Sequence, residues 1–215
     1  MLTLDRVKES KIIAIVRGLS PEYMLKLADA LYAGGIDLIE VTFNQSNPNS
    51  WKDTATTINA IREHMIGKML VGAGTVLTEE QLRMAIDAGA NYIVTPNTNP
   101  HLICKAKEAG LSAFPGAFTA SEIVTAYQAG ADAVKVFPVG NLGPSYIKAL
   151  CAPLSNIPLL AVGGVNPQNI AEFLKAGCCG AGVGGNLVNK DWINAGDWDK
   201  ITALAHEYRK AVEIL

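Results

Sequence analysis

Short apolar runs alternate with amphipathic helical patterns along the whole chain. The runs are four to six residues long, rich in β-branched residues and bounded by Gly, Pro or Asn, as expected of strands buried on both faces of a parallel sheet. The pattern predicts eight strands: Ile12–Arg17, Leu38–Phe43, Met69–Ala73, Tyr92–Pro96, Ser112–Pro115, Ala133–Phe137, Leu159–Gly163 and Gly180–Gly184.

An Ala-Gly pair recurs where a helical pattern ends and the next apolar run begins, for example at Ala88-Gly89 and Ala129-Gly130. Glycine is favoured just beyond the last helical turn because it adopts the left-handed conformation at little cost. The predicted helices are Pro21–Ala33, Ser50–His64, Glu79–Ala88, Pro100–Ala109, Ala120–Ala129, Pro144–Ala152, Pro167–Ala176 and Trp198–Ile214, with a short helix at the N-terminus that includes Leu2 to Asp5.

Eight strand–helix units in 215 residues predict a single-domain (β/α)8 TIM barrel with a short N-terminal helix. No linker or low-complexity segment interrupts the alternation, so the prediction is one domain over residues 1–215. The alternative is an open doubly wound sheet. No G-x-G-x-x-G motif opens an early unit, which favours the barrel.

Composition and charge restrict the classes of molecule that the protein is expected to bind. Apolar residues make up 49% of the chain, charged residues 18%, and the net charge is −2. The absence of a basic run argues against a nucleic acid partner, and the absence of an 18-residue apolar run argues against a membrane. The four cysteines lack metal-ligand spacing and indicate reduced thiols in the cytoplasm. We therefore expect no metal and no cofactor, and a small molecule as the partner.

A lysine, Lys135, lies in the middle of the apolar strand Ala133–Phe137. Lysine is almost never fully buried without a partner. One interpretation is a structural lysine that pairs with a carboxylate or reaches water from the strand end. The other is an amine in a dry pocket, which is neutral near pH 7 and attacks a carbonyl.

Strand alternation places a carboxylate on the same side of the sheet as this lysine. Leu38, Glu40 and Thr42 share one face of the second strand, and the apolar set on its other face should contact the helices. Glu40 and Lys135 would then both point into the barrel. They could form a structural ion pair, but barrel interiors are normally filled by branched apolar residues, so two ionisable groups favour catalysis.

The other polar or glycine-rich segments lie where predicted strands end, which is where barrels place active sites. Gly163-Gly164 and Gly182 to Gly185 follow the last two strands and predict an anion site, for phosphate or carboxylate, on loop amides and the N-terminus of the next helix. The alternative is that these glycines serve only tight turns. Arg17 could add a charged contact, and Thr75 could donate a hydroxyl or cap the next turn.

These segments together resemble the KDPG/KHG aldolases, which are Schiff-base aldolases of 2-keto-3-deoxy sugar acids. The matching motifs occur in order over nearly the whole chain: Ile39-Glu40-Val41-Thr42, Gly72-Ala73-Gly74-Thr75-Val76-Leu77, Thr95-Pro96-Asn97, Phe114-Pro115-Gly116, Lys135-Val136-Phe137-Pro138, Gly163-Gly164 and Gly182-Val183-Gly184-Gly185.

The resemblance implies a homotrimer of barrels that cleaves a 2-keto-3-deoxy-6-phospho sugar acid to pyruvate and glyceraldehyde 3-phosphate. It implies Lys135 as the Schiff-base nucleophile and Glu40 as the general acid/base. The substrate-binding residues would be Arg17, Asn44, Thr75, Pro96, Phe137, Val162, Gly163, Gly164, Gly184, Gly185 and Asn186.

Three positions depart from the pattern of many family members. Asn44 stands where many have Arg, Val162 where gluco-specific members have Thr, and Asn186 where many have Ser. Segments such as Ala161-Val162-Gly163-Gly164-Val165 resemble the 6-phosphogalactonate branch. The alternatives are a 4-hydroxy-2-oxoglutarate aldolase, a phosphate-binding barrel of another reaction type, and a barrel that only binds a ligand.

Overall fold

The structure, a computed structural model, describes residues 3–213 and has a ring of parallel strands at its centre. The strands occur in the spatial order β5-β4-β3-β2-β1-β9-β8-β7-β6. They are β1 Ile12–Val16, β2 Leu38–Thr42, β3 Leu70–Gly74, β4 Tyr92–Val94, β5 Ser112–Phe114, β6 Gly116–Ala117, β7 Val134–Val136, β8 Leu159–Val162 and β9 Cys178–Val183.

The fifth predicted strand is divided at Pro115, which was not anticipated. Proline has no N–H to donate to a ladder, so β5 pairs with β4 on one side and β6 pairs with β7 on the other. Asp132 N donates to Ala113 O at 3.0 Å and Lys135 N donates to Pro115 O at 2.9 Å, which joins the two edges. The ring therefore has eight positions made from nine segments, and the predicted barrel is confirmed.

Helices surround the ring of strands, and most of them connect one strand to the next. They are α1 Thr3–Ser10, α2 Pro21–Ala33, α3 Trp51–His64, α4 Glu79–Asp87, α5 Pro100–Glu108, α6 Ala120–Gln128, α7 Gly143–Cys151, α8 Ile170–Lys175, α9 Lys190–Ala195 and α10 Trp198–Glu213, with a 3₁₀ turn at Pro48–Ser50. Within residues 3–213, none of these helices has the length and apolarity that crossing a membrane requires.

Most predicted helix bounds agree with the structure to within one residue, but the helix expected from Pro167 begins only at Ile170. Asn166 causes this delay, because its side-chain oxygen accepts the amides of Gln168 and Asn169 and closes a turn before the helix. The 3₁₀ turn and α9 were not predicted. Of the predicted Trp198–Ile214 helix, Ile214 lies outside the described residues, as does Leu2 of the N-terminal helix.

Two apolar cores lie on opposite faces of the ring. The outer core, between strands and helices, contains the second-strand residues Ile39, Val41 and Phe43. The inner core contains Leu38 of the same strand with the larger lumen side chains Val7, Ile13, Tyr92, Val94, Phe114, Leu160 and Val162. This confirms the predicted alternation, and Val7 shows that α1 closes the N-terminal end of the barrel. Access from solvent is left at the C-terminal ends of the strands.

Tyr92 fills the lumen because a glycine stands opposite it. Its side chain is fully buried, and its hydroxyl donates to Ile39 O at 2.8 Å. A Cβ on Gly72 would lie 2.1 Å from Tyr92 Cε2, so any larger residue at that position collides with the ring. Tyr92 also packs against Phe114 in a tilted arrangement, with ring centroids 5.4 Å apart. This aromatic layer forms an apolar floor in the lumen.

Gly72→Ala should destabilise the protein, because the added methyl group overlaps the Tyr92 ring. Overpacking typically costs 1–3 kcal/mol, so urea denaturation should show an unfolding free energy lower by about 2 kcal/mol. Gly185→Ala is the matched control, since a Cβ there has no neighbour within 4 Å in the described part of the chain. Unchanged stability in Gly72→Ala would contradict this packing.

Candidate active site

A cavity of about 570 Å³ opens at the C-terminal ends of the strands, where the sequence predicted the site. Ten of the eleven predicted substrate-binding residues line it, together with Lys135. The lining consists of Ile15, Arg17, Thr75, Pro96, Lys135, Phe137, Val162, Gly163, Gly164, Val165, Gly182, Gly184, Gly185 and Asn186. The strands thus bring together residues that are up to 171 positions apart in the chain, from Ile15 to Asn186.

Lys135 lies in the middle of β7 and points into the lumen. The residue is only 7% exposed, and Nζ lies 4.9 Å from the centroid of the Phe137 ring. Burial lowers the pKa of the Lys135 ammonium, Glu40 opposes this shift, and the positive charge of Arg17 adds to it. A larger fraction of the amine is therefore neutral at physiological pH than in an exposed lysine, as a nucleophile requires.

Glu40 lies on β2 within the same lumen and is 1% exposed. Burial raises the pKa of its carboxyl group, while Lys135 and Arg17 act in the opposite direction. A Cβ on Gly74 would lie 1.8 Å from Glu40 Oε1, so glycine at the end of β3 makes the space that the carboxyl group occupies. Its Oε2 atom has no hydrogen-bond partner among the described residues. Glu40 is not among the residues that line the cavity, and this buried oxygen is left unpaired within residues 3–213.

These two groups influence each other chiefly through their charges. Burial disfavours the charged form of both, whereas their mutual attraction favours the charged forms. Burial alone thus favours the neutral form of each group, and a new positive charge beside Glu40 would favour its carboxylate form. This is the property that a general acid/base needs when its partner becomes a cation.

Arg17 and Thr75 form a polar pair at the cavity wall. Arg17 Nη2 donates to Thr75 Oγ1 at 3.3 Å. The first predicted strand was one residue too long, because β1 ends at Val16, whose carbonyl accepts a hydrogen bond from the Thr42 hydroxyl. Arg17 follows immediately, where the chain leaves the barrel. A guanidinium beside a hydroxyl suits a carboxylate ligand.

The two glycine turns differ in whether packing within the protein explains why glycine is present. Gly163 and Gly164 have positive φ values of 94° and 80°, and a Cβ on Gly164 would lie 2.9 Å from Gly140 Cα. These two glycines are required by the backbone, as the tight-turn interpretation holds. Gly184 and Gly185 are not at positive φ, and a Cβ at either would meet no atom closer than 3.9 Å. Open space in front of this backbone suits a bound anion.

Asn186 joins the two turns. Its Nδ2 donates to Val165 O at 2.9 Å, and Tyr208 Oη donates to the same oxygen at 3.3 Å. One N–H of the Asn186 amide is thus used inside the protein. The expected helix N-terminus after Gly163-Gly164 is not beside the turn, because α8 begins at Ile170. The glycine turns, rather than the N-terminus of α8, therefore line this end of the cavity.

Asn44 is the one predicted binding residue that does not line the cavity. Its side chain accepts the Ser46 amide at 3.0 Å, and its carbonyl accepts from Trp51 Nε1 at 2.9 Å. It borders a smaller neighbouring pocket together with Val16 and Gly18. This side-chain oxygen is occupied in a local turn, because Asn readily bonds the backbone two residues on.

Sequence reasoning missed two lining residues, Ile15 and Val165, and had Gly182 within the glycine turn predicted to bind an anion. Alternation from Ile13 would have pointed Ile15 into the lumen. Within residues 3–213, no group of three or more His, Cys, Asp and Glu side chains is arranged to hold a metal ion.

The chain matches the model of a known protein family over residues 4–204, described as KDPG and KHG aldolase. It is 40% identical to the 2-dehydro-3-deoxy-6-phosphogalactonate aldolase of Escherichia coli, over 94% of this chain and 96% of that protein. It is 34% identical to the 2-dehydro-3-deoxy-phosphogluconate aldolase of Treponema pallidum, over 99% and 97%.

The chain belongs to the KDPG and KHG aldolase family. The family expected from the sequence motifs is thereby confirmed, and so is the expectation of an aldolase.

Solved structures agree with this membership. A native KDPGal structure has a TM-score of 0.84 at 39% identity and covers 94% of each chain. The KDPG aldolase of Legionella pneumophila has a TM-score of 0.84 at 26% identity, with 96% of this chain and 97% of that chain covered. In that aldolase pyruvate was captured as a covalent carbinolamine. Carbinolamine formation requires an amine nucleophile. In this KDPG/KHG aldolase, the cavity contains the amine of Lys135.

The reactivity of Lys135 should depend on pH with a midpoint below that of an ordinary lysine, because burial lowers its pKa. Labelling with an amine-selective reagent should follow the neutral fraction, which rises with pH to a plateau. In a Glu40→Gln background, where Lys135 titrates without the carboxyl group, Arg17→Met should move the midpoint to higher pH, since Arg17 lowers that pKa.

Lys190→Met is the control, because Lys190 is also a cation near the mouth but donates to Gly18 O. Mass spectrometry of the Lys135 peptide measures each midpoint. A midpoint that moves down in Arg17→Met, or moves equally in Lys190→Met, would contradict the stated electrostatics.

Proposed function

We propose that this chain is a class I aldolase that cleaves a 2-keto-3-deoxy-6-phospho sugar acid to pyruvate and glyceraldehyde 3-phosphate. The observation that carries the proposal is a buried amine, Lys135, which lines the cavity at the open end of the barrel and interacts electrostatically with the buried carboxyl group of Glu40. The family and its named relatives support the reaction.

Lys135 begins the reaction as a nucleophile. Its neutral amine attacks the C2 ketone, and proton transfer gives a carbinolamine. Glu40 in its acid form then donates a proton to the departing hydroxyl group, so that water leaves and an iminium forms. Burial raises the pKa of Glu40, which favours the acid form that this step needs. This step leaves a cation on Lys135 and a carboxylate on Glu40.

Glu40 next acts as the base. Its carboxylate, directly or through a water molecule, takes the proton of the C4 hydroxyl while the C3–C4 bond breaks. The electron pair of that bond passes into the iminium and gives an enamine, and the aldehyde departs. Proton transfer by a positioned group is typically worth about 10²–10⁴ in rate. Protonation at C3 and hydrolysis release pyruvate and restore both groups.

We propose Arg17 and Thr75 as the site of the substrate carboxylate. The two side chains are hydrogen-bonded to each other at the wall of the cavity that contains Lys135. This assignment gives Arg17 the role that an Arg at the position of Asn44 has in many family members. Pro96 and Phe137, which line the same cavity, provide apolar surface beside the reacting carbons.

We propose the turn at Gly184 and Gly185 as the main site of the distal phosphate. Open space in front of this backbone supports the assignment. At Gly163 and Gly164, by contrast, packing within the protein already explains why glycine is present. Amides of the Gly163-Gly164 turn and the second N–H of Asn186 can add donors. Peptide N–H groups that converge on a concave surface bind anions well.

We propose that the substrate has the galacto rather than the gluco configuration, as the E. coli relative's name indicates for that protein. Val162, 6% exposed, lines the cavity and has no hydroxyl to offer. Loss of a hydrogen bond at this position lowers selection against the galacto epimer. The alternative is 4-hydroxy-2-oxoglutarate, since the family model covers KHG aldolases too; a carboxylate would then occupy the Gly184-Gly185 turn.

We also propose a homotrimer in the cytoplasm, as the resemblance implies. An apolar surface beside the mouth supports self-association. Phe118 is 40% exposed, Leu142 is 36% exposed, and the Phe118 ring packs at a tilt against Tyr146, with ring centroids 5.8 Å apart. The free thiols of the four cysteines are consistent with a reducing compartment.

Borohydride in the presence of pyruvate should attach one reduced pyruvyl group to Lys135, because reduction traps the iminium. Lys135→Ala should lose the adduct and the activity. Glu40→Gln retains the shape without the acid/base, so it should still be trapped at saturating pyruvate while cleavage slows about 10²-fold or more. Peptide mass spectrometry and a pyruvate-release assay measure the two effects. An adduct on another lysine such as Lys148 would overturn the assignment.

Val162→Thr should shift preference towards the gluco epimer. A site that hydrogen-bonds a substrate hydroxyl discriminates more strongly than an apolar surface does. The measurement is kcat/KM for both phosphorylated epimers and for 4-hydroxy-2-oxoglutarate, with wild type and Val162→Ile as an apolar control. A clear gluco preference in wild type would refute the stereochemical proposal. If hydroxyoxoglutarate were the best substrate, the turn would bind a carboxylate instead of a phosphate.

A further inference from the structure

Thr75 has a backbone conformation that its side chain disfavours. Its φ is +55°, and the only other non-glycine residue between 3 and 213 with positive φ is Lys11. A β-branched residue is an outlier in this region and persists only where its surroundings hold it there. The Thr75 hydroxyl meets Arg17 at the cavity wall. Whatever holds this backbone therefore also sets the position of that hydroxyl.

Two glutamine side chains, Gln81 and Gln45, support the Thr75 backbone through a series of hydrogen bonds. Gln81, fully buried on α4, accepts the Leu77 amide at 2.7 Å and the Thr78 amide at 3.2 Å through Oε1. Its Nε2 donates to Gln45 Oε1 at 3.1 Å, and Gln45 Nε2 donates to Thr75 O at 2.7 Å. This chain of contacts is called the glutamine relay below.

The orientation of both amides is fixed by the backbone. Two N–H groups need an acceptor, so Gln81 must turn its oxygen towards Leu77 and Thr78 and its nitrogen towards Gln45. Gln45 must then present its oxygen to Gln81, which leaves its nitrogen for the Thr75 carbonyl. The relay thus begins at a helix N-terminus and ends at a cavity residue. Neither glutamine lines the cavity.

We propose that Gln45 is a positioning residue, which holds Thr75 in its left-handed conformation so that the Thr75 hydroxyl faces the keto-acid carboxylate. The inference rests on the proposed function, since it assigns Thr75 to the carboxylate. Gln45 has no contact with the reacting atoms. Its loss should therefore weaken carboxylate binding and leave the chemistry of Lys135 and Glu40 intact.

Gln45→Ala and Gln45→Glu test the proposal. Both remove the donor to Thr75 O, while the Glu variant retains an acceptor for Gln81. Loss of one hydrogen bond to a binding group predicts a rise of about three- to tenfold in the pyruvate concentration for half-maximal borohydride trapping. The trapping rate at saturating pyruvate should change by less than about twofold. Gln128→Ala and Gln128→Glu make the same changes on an exposed helix end and should match wild type.

Thr75→Gly separates positioning from general support, because glycine adopts positive φ freely and carries no hydroxyl. If Gln45 acts through Thr75, adding Gln45→Ala to Thr75→Gly should change half-saturation by less than about twofold. The same three- to tenfold rise in both backgrounds would overturn the proposal. An effect in Gln45→Glu alone would also overturn it, because that effect would reflect the new charge. A trapping rate at saturating pyruvate that falls as much as half-saturation rises would overturn it as well.

The proposed function can fail separately from this inference. Wild type that forms no trapped adduct on Lys135 refutes the aldolase mechanism, and the relay with it. Wild type that is trapped on Lys135, with Gln45→Ala showing wild-type half-saturation, refutes only the relay. Thermal unfolding of each variant shows whether it is folded. Gln45 is on an exposed loop, so its variants should retain the fold.

Discussion

The burial of two ionisable side chains in one barrel lumen is the constraint on which the rest of the structure depends. Lys135 and Glu40 are each less than one-tenth exposed, so water can do little to stabilise either charge. Their mutual attraction makes this burial tolerable. Each lowers the cost of the other's charged form, and proton movement between reaction steps can then be driven by charge that appears on the substrate.

Several unrelated features of the fold serve to keep that lumen dry and correctly shaped. Val7 on α1 belongs to the inner core at the base, and the Tyr92 ring fills the layer that Gly72 leaves open. Gly74 provides the space for the Glu40 carboxyl group. Small residues at defined heights in β3 thus determine where the large and charged side chains of neighbouring strands can lie. The same closure leaves the carboxyl ends of the strands as the route by which a substrate reaches Lys135.

The count of eight strand–helix units predicted the barrel. Strand alternation placed Glu40 and Lys135 in one lumen, because a period of two leaves few choices of face. Local chemistry was harder to predict. Pro115 divided a strand through its missing N–H, and Asn166 delayed α8 by binding two amides. The contact between Gln45 and Thr75 joins residues 30 positions apart through side-chain atoms. No periodicity or motif marks such a contact.

The two glycine turns differ in how freely their residues can be replaced during evolution. Gly163 and Gly164 are required by their backbone conformation and, at Gly164, by close packing against Gly140. Replacement there disturbs the loop whatever the ligand is. Neither backbone conformation nor packing requires glycine at Gly184 or Gly185. A lineage descended from this protein could place a side chain at either position and keep an intact barrel. Selection for substrates with a different distal group would therefore be expected to accumulate substitutions in this turn, while Gly163 and Gly164 stay unchanged.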